Sequence, residues 1–283
     1  MGLFTKYRKD ADLIKPKDTI QAIVPFIMPK RCDAEVSSQV EIDITDLVEF
    51  VDQQKEEELG YKMTYFQALA ACFAKTLYTR ELLNQFVKNK RLYRRKKVIL
   101  AFIAKNKLSD KGEERIICLD VEKNDNIMTL SKKMAIDVFN VKKKKDNSME
   151  DTLKFFSSLP NWLLSFIVRI VFFLDERGIN PKALTEGDTN YATVILSNLG
   201  SIKTNSCYHH LNEYGTNSIV LTIGTIRNKG NRKVVDLQLT LDERIADGFY
   251  FAKSIQMTEY IANHMELLME DFSKKVVMEE NDK

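Results

Sequence analysis

The sequence is poor in several residue types that would narrow its function. Its 283 residues include four cysteines, three histidines, five prolines and one tryptophan, and 43 basic residues nearly balance 40 acidic ones, for a net charge of +3. Because the charges are so nearly balanced, there is no reason to expect a nucleic-acid partner. The four cysteines (Cys32, Cys72, Cys118 and Cys207) form no C-x-x-C pair, which indicates reduced thiols in a cytoplasmic protein.

Membrane, metal and nucleotide signals are also lacking. The first ten residues contain no apolar stretch, so no signal peptide is expected. The most apolar segment, residues 159–174, is short for a bilayer span and contains Arg169. A core or subunit-interface helix is therefore predicted, because an interfacial membrane helix would need several basic residues. No phosphate-binding glycine motif is present, and Cys207, His209 and His210 are too tightly spaced to form a four-ligand zinc site alone.

The hydrophobic pattern predicts a mixed fold. Alternation over residues 36–44 predicts a strand, and the nearly all-apolar residues 98–104 predict a strand buried on both faces, with residues 115–121 as its neighbour. Helices are predicted from Thr45-Asp46, from Thr64, from Thr129 or Ser131 into the solvated lysine run 142–145, and over residues 249–272. Strands dominate residues 192–241, with a hairpin at 228–231.

These elements show no regular β-α-β alternation, which predicts an α+β fold with a large mixed sheet. The composition has no break, and 44% of the residues are hydrophobic, which is enough for one sizeable core. We expect a lead segment at 1–19, a single domain at 20–272 and a frayed tail at 273–283.

One motif points to chemistry. Residues 241–248, LDERIADG, resemble the DHRxxDG signature of the 2-oxoacid dehydrogenase acyltransferases, with Glu243 where that family has its catalytic histidine. Residues 193–200, TVILSNLG, resemble the family's FTISNLG strand and turn. Residues 25–47, 64–87 and 218–226 are also similar, so the resemblance runs from about residue 20 to about residue 271.

The resemblance implies a fold and partners. It implies a chloramphenicol acetyltransferase-like two-layer sandwich that assembles as a homotrimer, with each active site between two subunits. Coenzyme A or an acyl-CoA would be the cosubstrate and a small molecule the acyl acceptor, without a metal. We expect the catalytic module alone, because no lipoyl domain or Ala/Pro-rich linker is recognisable here. The choice between coenzyme A and dihydrolipoamide as the thiol stays open.

The resemblance also assigns roles. Ser197 would hydrogen-bond the oxyanion, which is the usual large electrostatic contribution to acyl transfer. Glu243 would act as the base, although a carboxylate in water is a weaker base than imidazole by roughly two pKa units. Four motif residues would hold the geometry of the site: Asp242, Arg244, Asp247, which in the family often pairs with an arginine, and Gly248.

His209 and His210 lie where the family has a proline-containing loop near the substrate entrance. Our hypothesis is that one of them lies near Ser197 and Glu243 and serves as the base, with the carboxylate orienting it. Alternatives stay open: the histidines pack at a subunit seam or cap a turn, Glu243 forms an ion pair, and Ser197 belongs to an ordinary strand-end turn. A catalytically inactive trimeric scaffold or ligand-binding protein with the same fold is the rival function.

Overall fold

The computed structural model describes residues 8–105, 114–143, 158–179, 185 and 187–278. Its helices are α1 (Thr19–Ile27), α2 (Thr45–Asp52), α3 (Glu56–Leu59), α4 (Tyr65–Thr79), α5 (Ile127–Lys143), α6 (Asn161–Glu176), α7 (Gly248–Ala262) and α8 (Met265–Met269). Its strands are β1 (Ala11–Leu13), β2 (Glu35–Asp43), β3 (Gln85–Lys88), β4 (Arg91–Arg95), β5 (Val98–Lys105), β6 (Glu114–Val121), β7 (Val194–Asn198), β8 (Ile219–Ile223), β9 (Arg227–Lys229) and β10 (Arg232–Asp242).

The main sheet is mixed, as the sequence predicted. Its strand order is β2-β10-β8-β7-β5-β6, and the short β9 pairs with β10. The central strands β5, β7 and β8 run parallel to one another, while the outer pairs are antiparallel. A second, three-stranded sheet has the order β1-β4-β3. The α+β prediction is therefore confirmed.

The two faces of the main sheet differ. Leu196, Leu221 and Leu239 belong to the face that lies in the core with the helices, where Thr76 of α4 and Thr258 of α7 share a hydroxyl–hydroxyl hydrogen bond of 2.9 Å. Side chains alternate along a strand, so Ser197 and Thr222 belong to the opposite face. One face of the sheet thus carries the core, and Ser197 lies on the other.

One predicted helix boundary is confirmed and two need correction. Thr64 begins α4 with a full capping box to Gln67, as predicted. The cap of α5 is Asn126 and not Thr129 or Ser131, because the Asn126 side chain accepts from the N–H groups of Met128 and Thr129. The predicted helix over 249–272 is broken between α7 and α8. The lysine run extends to residue 145, beyond the described part of α5.

Burial corrects two further predictions. Residues 98–104 do form a strand, but its end is not buried on both faces, since Ile103 is 55% exposed. The apolar segment 159–174 does form a helix, α6. Of the two predicted places for it, the core is wrong, and a subunit interface stays a prediction. The only buried residue of α6 is Asp175.

The chain is packed close to both ends of the described region. Arg8 is buried and forms a salt bridge of 3.0 Å with Asp175, and β1 pairs with β4. Near the other end Val276 is buried, and its N–H donates to the Thr79 hydroxyl. In the described residues no helix is long and apolar enough to cross a membrane.

Candidate functional site

Ser197 lies at the end of β7, on the face of the sheet opposite the core. It is partly buried, and it is in parallel register with Thr222 of β8. The turn that follows is held locally: the Asn198 side chain accepts from the Ser201 N–H, and the Ser201 hydroxyl donates to the Asn198 carbonyl at 2.8 Å. The strand therefore ends in a defined turn directly after Ser197.

The turn after β7 requires a glycine at position 200. A Cβ atom at this position would lie 2.4 Å from the backbone carbonyl oxygen of Gly224. No side chain fits there, because real Cβ contacts are not that short. The turn after β7 and the chain after β8 therefore pack backbone against backbone.

A large cleft opens beside this turn. Its volume is about 1240 Å³, and ligand sites commonly occupy roughly 300–1,000 Å³. Asn198, Gly200 and Ser201 form one wall, and residues of α3, α4 and α5 form the others. These walls combine aliphatic side chains with five aromatic ones, and two exposed lysines lie at the rim: Tyr61, Tyr65, Phe66, Phe102 and Phe139, with Lys62 and Lys132.

Glu243 lies in the loop between β10 and α7. Its side chain is partly buried, and its N–H donates to the Ala34 carbonyl at 3.0 Å. In the described part of the chain, no hydrogen bond or salt bridge engages its carboxylate. Glu243 is thus a carboxylate that the protomer itself leaves available.

Asp242 and Arg244 flank Glu243 and form a buried bidentate salt bridge. Arg244 Nε donates to Asp242 Oδ1 at 2.8 Å and Nη2 donates to Oδ2 at 2.7 Å. Nη1 reaches the carbonyls of Met28 and Pro29. Burial disfavours the charged guanidinium, but the hydrogen bonds and charge of Asp242 outweigh it and raise the pKa of Arg244. This pair ties the loop to the end of α1.

Asp247 caps α7 and forms an ion pair. Its side chain accepts from the Tyr250 N–H at 2.8 Å, and Lys17 Nζ lies 2.8 Å from its other oxygen. The hydrogen bond from Lys17 is the main reason that the pKa of Asp247 is lowered. The cation is thus a lysine from the predicted lead segment, not an arginine. Gly248 then begins α7, with open space around its Cα.

His209 and His210 stack on each other on the surface. Their ring centroids are 5.0 Å apart, and His209 Nδ1 lies 2.9 Å from the His210 carbonyl oxygen. In the described residues neither imidazole hydrogen-bonds Ser197 or Glu243. The hypothesis that a histidine serves as the base therefore finds no contact within one protomer, and it stays a prediction.

The segment that carries the histidines is nevertheless held at both ends. The backbone of Cys207 exchanges two hydrogen bonds with the hydroxyl of Thr222, which is the register partner of Ser197. The Leu211 N–H donates to the Glu35 carboxylate, and Glu35 pairs with Asp242 across the sheet. The segment therefore runs from the side of Ser197 to the side of Glu243.

Ser197 and Glu243 are far apart in a single protomer. Ser197 is in register with Thr222, whereas Glu243 follows Asp242, beyond the pair Leu241–Ile219. At roughly 3.3 Å per residue the two lie at least about 10 Å apart along the strands. They are also two strands apart across the sheet, a further 10 Å or so. Hydrogen-bond reach, about 2.6–3.2 Å, is impossible within one chain.

Three buried cations were not recognised from the sequence. Arg31 donates to the carbonyls of Glu213 and Gly215, Lys88 donates to Gly215, and Arg95 donates to the carbonyl of Thr216. Burial lowers the pKa of Arg95 to about 9 and also lowers that of Arg31. These cations anchor the loop after the histidines. No sequence signal marks them, since their partners are backbone carbonyls distant in the chain.

No protein-family model and no curated protein matches the sequence. Solved structures do match the fold. A probable dihydrolipoamide acetyltransferase from Listeria monocytogenes is 15% identical, with a TM-score of 0.58 over 90% of this chain and 95% of that one. A dihydrolipoamide acetyltransferase from Azotobacter vinelandii is 17% identical, with a TM-score of 0.58 over 83% of each chain. A chloramphenicol acetyltransferase is 10% identical, with a TM-score of 0.55 over 91% of this chain and 99% of that one.

At identities this low, the likeness concerns the fold. The chain has a chloramphenicol acetyltransferase-like α+β sandwich with a large mixed sheet, as predicted. The fold places Ser197 at a strand end, on the face of the sheet opposite Phe102 and Ile223 of the cleft, and it places Glu243 in a separate loop.

Proposed function

We propose that this protein is a CoA-dependent acyltransferase that moves an acyl group between a thioester and a thiol or hydroxyl acceptor. The observation that carries the proposal is the 1240 Å³ cleft, one wall of which is the turn that follows Ser197. The acetyltransferases of Listeria and Azotobacter share this fold. The mechanism of the Azotobacter enzyme involves a serine, a histidine and an asparagine.

The proposed reaction uses Glu243 as the base and Ser197 as the oxyanion donor. The Glu243 carboxylate takes the proton from the acceptor thiol or hydroxyl as its sulfur or oxygen forms a bond to the thioester carbonyl carbon. The Ser197 hydroxyl donates a hydrogen bond to the carbonyl oxygen as it becomes negative. Collapse of the tetrahedral intermediate breaks the carbon–sulfur bond, and the leaving thiolate recovers the proton from Glu243.

The flanking ion pairs would position the base. Asp242 and Arg244 neutralise each other next to Glu243, and Asp247 is paired with Lys17, so neither carboxylate leaves an uncompensated negative charge in the loop. His209 or His210, from either subunit, remains the second candidate for the base that takes the proton.

A complete site needs a second copy of the chain, because Ser197 and Glu243 do not meet within one. The surface beside the Glu243 loop suits such a contact. Gln21 of α1 donates to the Ile245 carbonyl at 3.0 Å, and α1 exposes Ile20, Ile23, Phe26 and Ile27 to solvent. We propose the homotrimer implied by the resemblance, with Ser197 of one subunit facing Glu243 of the next.

The cleft has the chemistry to hold coenzyme A. Lys62 and Lys132 would face its phosphates, and the aromatic walls would take its adenine and its pantetheine arm. A dihydrolipoamide acceptor would lack the phosphates and make no use of these lysines.

Calorimetry with coenzyme A and acetyl-CoA tests the proposal. We expect micromolar binding, about −8 kcal/mol, and at least a tenfold loss of affinity in Lys132→Ala. Lys274→Ala is the matched control, because Lys274 forms only a surface ion pair with Glu270 outside the cleft. Absence of binding at millimolar ligand would reject the acyltransferase and favour the inactive scaffold.

A further inference from the structure

Helix α6 exposes an unusual amount of apolar surface. Its side chains Trp162, Phe166, Ile170 and Phe173 are 41% to 72% exposed, although the helix sequence is mostly apolar. A helix that is apolar on nearly all sides is ordinarily buried. Within the protomer, however, α6 buries only Asp175.

The four exposed residues form one stripe. Their positions differ by four, four and three residues, so they lie on the same side of the helix over three turns. This spacing is typical of a helix that packs against other protein along its length. We call these four residues the α6 stripe.

A second exposed apolar surface, on α1, is linked to α6 through one turn. The turn between β3 and β4 links the two: Asn89 donates to the Glu176 carbonyl of α6, and Lys90 lies over the Phe26 ring of α1 at 5.1 Å. Together the exposed apolar side chains of α1 and the α6 stripe amount to on the order of 900 Å². A partner that covers both surfaces would bury about the 800 Å² that each side of a stable interface contributes.

The charges on α6 favour protein over lipid as the partner. Arg169 and Glu176 are exposed on the same edge of the stripe with opposite charges, and the Arg177 guanidinium stacks over the Phe173 ring at 3.3 Å. An anionic membrane attracts helices with several basic residues on the polar face, which α6 lacks. At 16 residues α6 is about 24 Å long, which is also too short to span a bilayer.

The helix is anchored where it joins the candidate site. Asp175 forms salt bridges with Arg8 at 3.0 Å and with Lys88 at 2.8 Å, and Lys88 also donates to the Gly215 carbonyl. Phe172 packs against Tyr214 at 5.5 Å between ring centroids. Helix α6 is thus anchored by buried side chains that also hold the loop after His209 and His210.

From these observations we infer that the α6 stripe is an assembly surface that packs on a second copy of this chain. The turn between β3 and β4 links α6 to α1, which itself packs on the Glu243 loop through the buried Gln21. In this respect the inference rests on the proposed function, since it names a further part of the contact that would complete the site. It does not require that the site be active.

Trp162 is the sole tryptophan and reports directly on the stripe. We would measure sedimentation velocity and tryptophan emission over a dilution series for the wild type, Phe166→Glu and Ile170→Glu. The wild type should self-associate with blue-shifted emission that moves to the red on dilution. Both variants should raise the dissociation constant at least tenfold, and their emission should stay red. Val277→Glu is the matched control, since Val277 is 83% exposed and lies outside α1 and α6.

Far-UV circular dichroism confirms folding, which these exposed positions should not affect. Unchanged self-association and emission in both α6 variants would overturn the inference. So would a monomeric wild type whose emission shifts only with phosphatidylserine vesicles, because the partner would then be lipid. Calorimetry with coenzyme A on the same samples separates the two proposals: failure of CoA binding alone rejects the enzyme and leaves the assembly surface standing.

Discussion

Thr222 lies opposite Ser197 in the parallel ladder of β7 and β8. The Thr222 hydroxyl accepts from the Cys207 N–H at 3.2 Å and donates to the Cys207 carbonyl at 2.6 Å. The segment that leads to His209 and His210 is therefore attached to the strand next to Ser197. A change at Thr222 can therefore test whether the histidine segment contributes to the reaction, while both histidines stay unchanged.

Thr222→Val should remove that attachment while nearly preserving the shape of the side chain. We expect the acyl-transfer rate to fall several-fold and the free energy of unfolding to fall by about 1–3 kcal/mol, because the N–H and carbonyl of Cys207 both lose their hydrogen-bond partner. Thr222→Ser should restore both, because its hydroxyl can keep both hydrogen bonds. Full activity in Thr222→Val would mean that the histidine segment has no part in the reaction.

Ser197→Ala should lower the turnover number about 10²–10³-fold with little change in the affinity for coenzyme A. Loss of one oxyanion donor has this cost in other acyl-transfer sites, because the bond is strongest in the transition state. Steady-state kinetics and calorimetry measure the two quantities. Ser201→Ala tests the turn itself, because Ser201 lines the cleft and its hydroxyl donates to the Asn198 carbonyl, while Ser197 stays in place. Equal losses in both variants would indicate a disturbed turn and not a lost oxyanion donor.

Glu243→Gln should reduce acyl transfer at least 100-fold, since general-base catalysis typically contributes 10²–10⁴. Glu243→His should recover activity, because imidazole is the stronger base. Initial rates on one acceptor measure both. Glu213→Gln is a suitable comparison: this carboxylate accepts a hydrogen bond from the Arg31 N–H and lies outside the 241–248 motif. If Glu243→Gln keeps wild-type activity, position 243 is not the base.

Asp247→Ala should lower the free energy of unfolding by about 1 kcal/mol, since it removes the cap of α7. The exposed pair with Lys17 adds little. Because the pKa of Asp247 is lowered in the folded protein, its stabilisation is complete above the unfolded value near 4 and declines as the pH falls further. Urea unfolding at pH 7 and pH 3 measures the change. Asp247→Ser should retain most of the cap, and a loss as large as that of the alanine variant would contradict the capping role.

The sequence predicted the α+β class, the strand over residues 36–44 and the start of α4, because hydrophobic alternation and a capping box are local signals. It did not predict the exposure of α6, since an apolar helix buried in a core and one covered by another subunit have the same composition. The cap of α5 was misplaced because Asn126, Thr129 and Ser131 compete within about one turn, and only the backbone geometry selects Asn126.

The site was predicted only in part. The motifs around Ser197 and Glu243 stand out in the sequence, but the distance between them depends on the registers of β7, β8 and β10. Likewise, Arg31 and Arg95 bind backbone carbonyls, which leave no pattern of residue types to recognise.

The separation of Ser197 and Glu243 has a genetic consequence. If each working site takes its serine from one chain and its carboxylate from another, activity belongs to the contact between subunits. Two defective chains, Ser197→Ala and Glu243→Gln, would then rescue each other when unfolded and refolded together. In a mixed trimer, some contacts would join an intact serine to an intact glutamate. Complementation between two inactive alleles would thus appear as recovered enzyme activity in the mixture, while each variant refolded alone remains inactive.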